Sequence, residues 1–184
     1  MTTSTSKSAD PVLRTLRLNL RRAQQRDLDD LFAIYSDARA MQFWSTLPHD
    51  SAAVTQGNLD SMIAQSPLTY FVLDLDGRAI GCAGLHRGDE IGFILHPDHW
   101  QHGYMTEAMQ AIIPFLFATT DIMQLTADID PRNTASAATL RKLGFTETHR
   151  VARTYCIGGV WSDSAYFAHP RDRAVSDGAE IAEK

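Results

Sequence analysis

The chain has 184 residues, 44% hydrophobic and 21% charged, proportions of one ordinary globular domain that exclude a wholly disordered, collagen-like or coiled-coil protein. Seventeen basic residues against 22 acidic ones give a formal charge of -5, which argues against a protein built to grip a phosphate backbone, so no nucleic-acid partner is expected. No apolar run approaches the roughly 20 residues of a membrane-spanning helix, and the first ten residues are polar with no apolar signal segment; a cytoplasmic protein without a membrane partner is the expectation.

Both ends read as tails. Residues 1–11 are small and polar and residues 171–184 are charged with little to bury, which leaves one domain over 12–170. Leu16, Leu18 and Leu20 alternate with Arg17, Asn19 and Arg21, which predicts a strand over 13–22. Residues 25–39 carry Leu28, Leu31, Phe32, Ile34 and Tyr35 at mixed three- and four-residue spacing, an amphipathic helix. A second helix follows Asp50 or Ser51, both good N-caps, and runs to about residue 64 before Pro67 closes the stretch.

Strands are predicted at 69–76 and 79–86, joined by Asp76-Gly77-Arg78, since Asp-Gly is a strong hairpin signal. A Gly88-Asp89 turn and a strand at 90–95 complete a meander. After a loop at 97–105, a helix at 106–119 places Met109, Ile112, Ile113 and Leu116 on one face, and Pro114 is expected to kink it or weaken its second half. A strand at 125–130, a helix at 133–143 ended by Gly144, a long strand at 145–157, a Gly158-Gly159 turn and a last strand at 161–169 follow. This order predicts an α/β (α+β) domain: one mixed central sheet of about seven strands with helices on both faces. Parallel pairing is expected among the strands at 90–95, 125–130 and 145–157 where they are neighbours. Cys82 and Cys156 lie in apolar or aromatic-rich segments and are expected to remain thiols.

The chemistry concentrates where the strand at 90–95 passes through a Gly-containing loop into a helix. Such a junction leaves several backbone N–H groups aimed at one spot with the positive end of the helix dipole behind them, an arrangement that binds phosphate. An ordinary capped connection has the same local sequence. Two further blocks sharpen the reading. Glu90-Ile-Gly-Phe, then Trp100-x-x-Gly-Tyr-x-Thr-Glu-Ala108, then Asn133-x-x-Ser136-x-x-x-Leu-x-x-Leu-Gly-Phe145 resemble, in order and spacing, the GNAT superfamily of acyl-CoA-dependent N-acetyltransferases. The resemblance spans residues 16–166 and points to the branch of ribosomal-protein N-terminal alanine acetyltransferases (RimJ/RimL-like).

That resemblance implies acetyl-CoA as co-substrate, no metal, and direct transfer to an amine acceptor, either a protein N-terminus or a small molecule. It implies that main-chain amides of Gln101, His102, Gly103, Tyr104, Met105 and Thr106 cradle the coenzyme pyrophosphate. The pantetheine arm is then expected against Phe93, Ile94 and Leu95 on one strand and residues 127–129 on the next. Gly or Ala is usual where Gln101 and Met105 stand, so larger side chains are expected to narrow phosphate access. Asn133 resembles the asparagine that contacts pantetheine, although a plain N-cap is an equal physical reading.

An ammonium cannot attack a thioester, so a base is needed, and Glu90, on the strand lining the cleft, is the candidate. A solvated turn carboxylate is the alternative. The thiolate-protonating Tyr of many GNAT enzymes is replaced by Leu140, and the resemblance gives that part to Ser136, which otherwise caps a helix. For the acceptor, Trp44, Tyr70 and Trp161, with Phe43 beside them, are candidate pocket walls, and Asp163 a candidate partner for an amine. Monomer and homodimer remain open. An acyl-CoA-binding sensor without turnover is the alternative function, suggested by Met105 and the absent Tyr. His96, His99 and His102 invite a metal reading, but a loop around Pro97 does not bring them together and no carboxylate or Cys completes the set.

Overall fold

The computed structural model describes residues 13–171. The tails expected over 1–11 and from 172 onward lie outside the described residues. Arg171, assigned to the second tail, belongs to the domain: its backbone N–H donates to the Met123 carbonyl and its guanidinium to the Thr120 carbonyl.

The sheet has eight strands, one more than expected, because the predicted strand over 13–22 is two. Strand β1 (Leu13–Arg14) turns back through Thr15, whose N–H donates to the Leu18 carbonyl, and pairs antiparallel with β2 (Asn19–Arg21). Leu16 sits on that turn, exposed, so its place in the alternation was coincidental. A 3₁₀ turn (Gln25–Asp27) leads into α1 (Leu28–Ser36), shorter than predicted because the chain turns at Asp37, and α2 (Ala52–Ala64) follows Ser51. Strands β3 (Tyr70–Leu75), β4 (Arg78–Arg87) and β5 (Glu90–Leu95) form the expected meander. The β3–β4 turn uses Asp76 and Gly77 with φ of 51° and 87°, the doubly left-handed pair that makes a two-residue hairpin tight.

Helix α3 (Tyr104–Thr119) starts two residues earlier than predicted and continues through Pro114 to its end. Strand β6 (Gln124–Ile129), helix α4 (Thr134–Lys142), β7 (Thr146–Ile157) and β8 (Val160–Pro170) complete the chain. The sheet order is β1-β2-β3-β4-β5-β6-β8-β7, so the last strand is inserted between β6 and β7. Among the described residues the only parallel neighbours are β5 and β6; β7 pairs with β8 and lies at the edge.

Alternation in β3 separates two cores. Phe71 and Leu73 face α3 and α4 with Met109, Ile112, Leu116, Leu140 and Phe145. Tyr70 and Val72 face α1 and α2 with Leu31, Ile34, Tyr35 and Leu59. Helices therefore cover both sheet faces. Beneath α1, the Arg21 guanidinium donates to Asp27 at 2.8 Å and to Asp74 at 2.6 Å in a buried ionic triad. Both cysteines are free thiols, Cys82 buried and Cys156 exposed.

Candidate active site

Strands β5 and β6 are in register at a single pair, Glu90↔Thr126, where the Thr126 N–H also donates to the Asp89 carbonyl. Beyond it Phe93–Leu95 and Ala127–Ile129 have no ladder partner across the gap, so the sheet opens. A cleft of about 1040 Å³ occupies the opening. Its walls come from the loop after α1, from β5, from the start of α3, from β6 and α4, and from the β7–β8 hairpin.

At one end is the mouth of α3. Gln101 and Gly103 have φ of 63° and 79°, two left-handed residues flanking His102. Gly103 is the N-cap, which no side chain caps, so the N–H groups of Tyr104, Met105 and Thr106 have no acceptor among the described residues. Free amides behind a left-handed turn form an anion-binding concavity with the helix dipole added. Met105 does not crowd this mouth: its side chain is buried in the core below α3, contrary to the expected narrowing. Gln101 departs from the usual small residue in carrying a Cβ in a left-handed conformation that glycine adopts at no steric cost.

Of the residues singled out from sequence, Trp44, Glu90, Phe93, Ile94, Leu95, Gln101, Gly103, Tyr104, Met105, Thr106, Asn133 and Ser136 all line this one cleft. Three others do not. His102 donates from Nδ1 to the Trp100 carbonyl and stacks on Tyr104, outside the cleft wall. Tyr70 points away, into the core under α1 and α2, because β3 alternation assigns it to that face. Trp161 is 48% exposed beneath the Arg153 guanidinium and does not line the cleft, whereas Asp163, two residues on, does. Among the described residues no group of three or more His, Cys, Asp or Glu is placed to hold a metal.

Details of the lining residues refine their roles. The Leu95 carbonyl accepts from the Trp100 indole at 2.9 Å, so this main-chain acceptor is already engaged. Asn133 Oδ1 accepts from the Ser136 N–H at 3.0 Å and caps α4, leaving its amide nitrogen to donate. The Ser136 hydroxyl has no hydrogen-bond partner among the described residues, so it is not the cap. The Glu90 carboxylate lies 3.6 Å from Arg87 and has no other side-chain partner among the described residues.

The cleft also contains groups that sequence reasoning passed over. Tyr155, from the edge strand, donates its hydroxyl to Asp128 Oδ2 at 2.9 Å. Burial and the neighbouring carboxylates push that phenol up to about 12. Arg132 donates to Asp130 and to Ser162 and lies 6.0 Å over the Phe43 ring, tying the β6–α4 loop to the roof. Lys142, at the end of α4, adds a cation to the wall. Its position in the helix was legible; that the helix end borders the cleft was not.

The Acetyltransferase (GNAT) domain family matches residues 17–146. A curated relative, the uncharacterized N-acetyltransferase p20 of Bacillus licheniformis, is 26% identical over 144 residues, 72% of this chain and 81% of its own. The ribosomal-protein-S5-alanine acetyltransferase of Vibrio fischeri superposes with a TM-score of 0.75 at 19% identity, covering 89% of this chain and 98% of that one. The spermidine N-acetyltransferase of Vibrio cholerae, solved with CoA and spermine, superposes with a TM-score of 0.72 at 16% identity, over 84% and 95%.

Proposed function

The chain belongs to the GNAT acetyltransferase family, an acyltransferase enzyme family, and on that premise we propose that it moves the acetyl group of acetyl-CoA directly to a primary amine. The observation that carries the reading is the single-pair union of β5 and β6 beside the uncapped start of α3. A diphosphate fits the free amides of Tyr104, Met105 and Thr106, and an extended amide-bearing arm fits the open strand edges at Phe93–Leu95 and Ala127–Ile129. The thioester then lies near Ser136 on one side and Glu90 on the other, all on the wall of one cleft.

In this reading Glu90 takes the ammonium proton through an ordered water, the freed amine attacks the thioester carbon, and the departing thiolate receives a hydrogen bond or proton from the Ser136 hydroxyl. Asn133 orders the start of α4 so that Ser136 faces the cleft. Trp44 and Phe43 supply apolar wall at the acceptor end. The RimJ/RimL-like branch, with a protein N-terminus as acceptor, is supported by the motif spacing and by the fold shared with the Vibrio fischeri enzyme, while a small polyamine-type acceptor is supported by the fold shared with the Vibrio cholerae enzyme.

The test is thiol release from acetyl-CoA over a panel of peptide N-termini, polyamines and amino acids, with calorimetric titration of coenzyme A alongside. Turnover with one amine class is expected. Tight coenzyme binding with no turnover would replace the transferase by a sensor, and no binding at millimolar coenzyme would remove both.

A further inference from the structure

Strands β7 and β8 pair from Thr146↔Ala168 to Val151↔Ser164, with a one-residue shift between Glu147 and His149, and again from Tyr155↔Ser162 to the hairpin tip. Between these stretches four residue steps on β7 oppose two on β8, a bulge with two extra residues. Arg153 inside it has a φ of 57°, left-handed for a residue with a long side chain. Several contacts hold the bulge in place: Asp163 accepts the Arg153 N–H at 2.9 Å, the guanidinium covers Trp161 at 4.9 Å, and the Thr154 and Ser164 hydroxyls are 2.6 Å apart.

The bulge shifts the register by two residues, which keeps Tyr155 on the face of Val151 and sets it opposite Ser162. Tyr155 reaches over β8 to Asp128 on β6, two strands away, and both line the cleft. Bulges are common beside clefts, and strained backbone persists where its surroundings over-determine it. Asp128 itself is under-satisfied: Oδ2 accepts from Tyr155, while Oδ1 is shielded from solvent with no partner among the described residues. Among the described residues no cation neutralises it there. Arg132 is committed to Asp130 and Ser162, and Arg87 faces Glu90. The groups facing the phenol are Asp128 from β6, Glu90 from β5 and Tyr166 from β8, none of them basic. Negative charge with no protein counter-ion, reached through a hydroxyl whose proton is already donated, is a receptor for a cationic donor.

We infer that Tyr155 seats the acceptor amine: its proton is given to Asp128, and its oxygen lone pairs accept a hydrogen bond from the acceptor's ammonium before Glu90 draws the proton away. This rests on the amine-acetylation reading and adds to it the residue pair that fixes the acceptor nitrogen. The pair also sets the acceptor class as a cation at binding, so neutral nucleophiles such as alcohols are poor acceptors.

The experiment is steady-state kinetics of Tyr155→Phe, Asp128→Asn and the double variant with acetyl-CoA and the best amine of the panel. For Tyr155→Phe we expect kcat/KM for the amine to fall about 10- to 100-fold, mainly through its KM, with coenzyme affinity by calorimetry unchanged. The double variant should lose no more than the worse single one, since the two residues act as one unit. An unchanged amine KM in Tyr155→Phe, or losses that add in the double variant, would place the pair in packing and overturn the inference while leaving the transferase reading intact. A wild-type protein that acetylates no amine fails differently, and both readings fall together.

Discussion

Glu107 accepts two hydrogen bonds from Arg17, from its backbone N–H at 2.8 Å and from Nε at 2.7 Å, and a third from the Thr15 hydroxyl at 2.6 Å. The carboxylate of the first full turn of α3 thus pins the β1–β2 turn against the helix mouth, where the Arg17 guanidinium lies 4.3 Å over the Tyr104 ring. The Glu in the Thr-Glu-Ala motif, read from sequence only as part of a family signature, is a structural clamp.

Replacing Glu107 by Gln should lower stability by about 1–3 kcal/mol at neutral pH, as charge-assisted hydrogen bonds to a largely covered carboxylate are lost. Burial alone would raise this carboxyl, but bonds from Thr15 and Arg17 outweigh it and hold it below its ordinary value. The stabilisation is therefore present above the unfolded carboxyl value and lost as pH falls through the lower folded one. Urea titrations of both proteins at pH 7 and pH 3 check this: the gap between them should be smaller at pH 3 than at pH 7.

The Arg21 triad predicts a larger effect. Hydrogen bonds from Arg21 to Asp27 and Asp74 raise the guanidinium further above its already high value, and both carboxylates are buried. Arg21→Met leaves two uncompensated buried carboxylates together and should cost about 3–5 kcal/mol. Chemical denaturation measures it; a loss below about 1 kcal/mol would mean the carboxylates find other partners.

Glu90→Gln should reduce kcat about 100-fold or more with coenzyme affinity unchanged, the ordinary contribution of a positioned base. Stopped acetylation assays together with calorimetry separate the two quantities. A loss of only a few-fold would remove Glu90 from the proton path.

Ser136→Ala should cost about 100-fold in kcat if the hydroxyl protonates the thiolate, whereas Asn133→Ala should cost about 1 kcal/mol of stability through the lost N-cap. The two are distinguishable because the Ser136 hydroxyl makes no hydrogen bond among the described residues and its removal should leave the melting curve where it was.

Gln101→Gly relieves a left-handed residue and should stabilise the protein by about 1 kcal/mol without weakening coenzyme binding, since the turn already has the required shape. Thermal melts with and without coenzyme A check both halves.

Local sequence determined a great deal of this molecule. The Asp-Gly turn, the strands of the meander, the Asn133 cap, the Gly144 stop and the glycine-bearing entry to α3 all depend on torsions and hydrogen bonds within a few residues, so they are visible without the rest of the chain. Of these, the strand at Glu90–Leu95, Asn133 and the entry to α3 line the cleft. What needed the tertiary structure depends on partners far away in sequence. Insertion of β8 between β6 and β7 is a pairing choice that no local period records. The same is true of which face Tyr70 turns to, of Met105 sinking into the core, and of Thr15 breaking the first strand to meet Glu107, 92 residues distant. Tyr155 is the sharpest case: periodicity places it in a strand, but only the register of β7 on β8, shifted at Glu147/His149 and again at Val151/Tyr155, sets it opposite Ser162 and within reach of Asp128. In the proposed function the coenzyme end is legible because backbone amides build it, and the acceptor end is not because side chains from non-adjacent strands do.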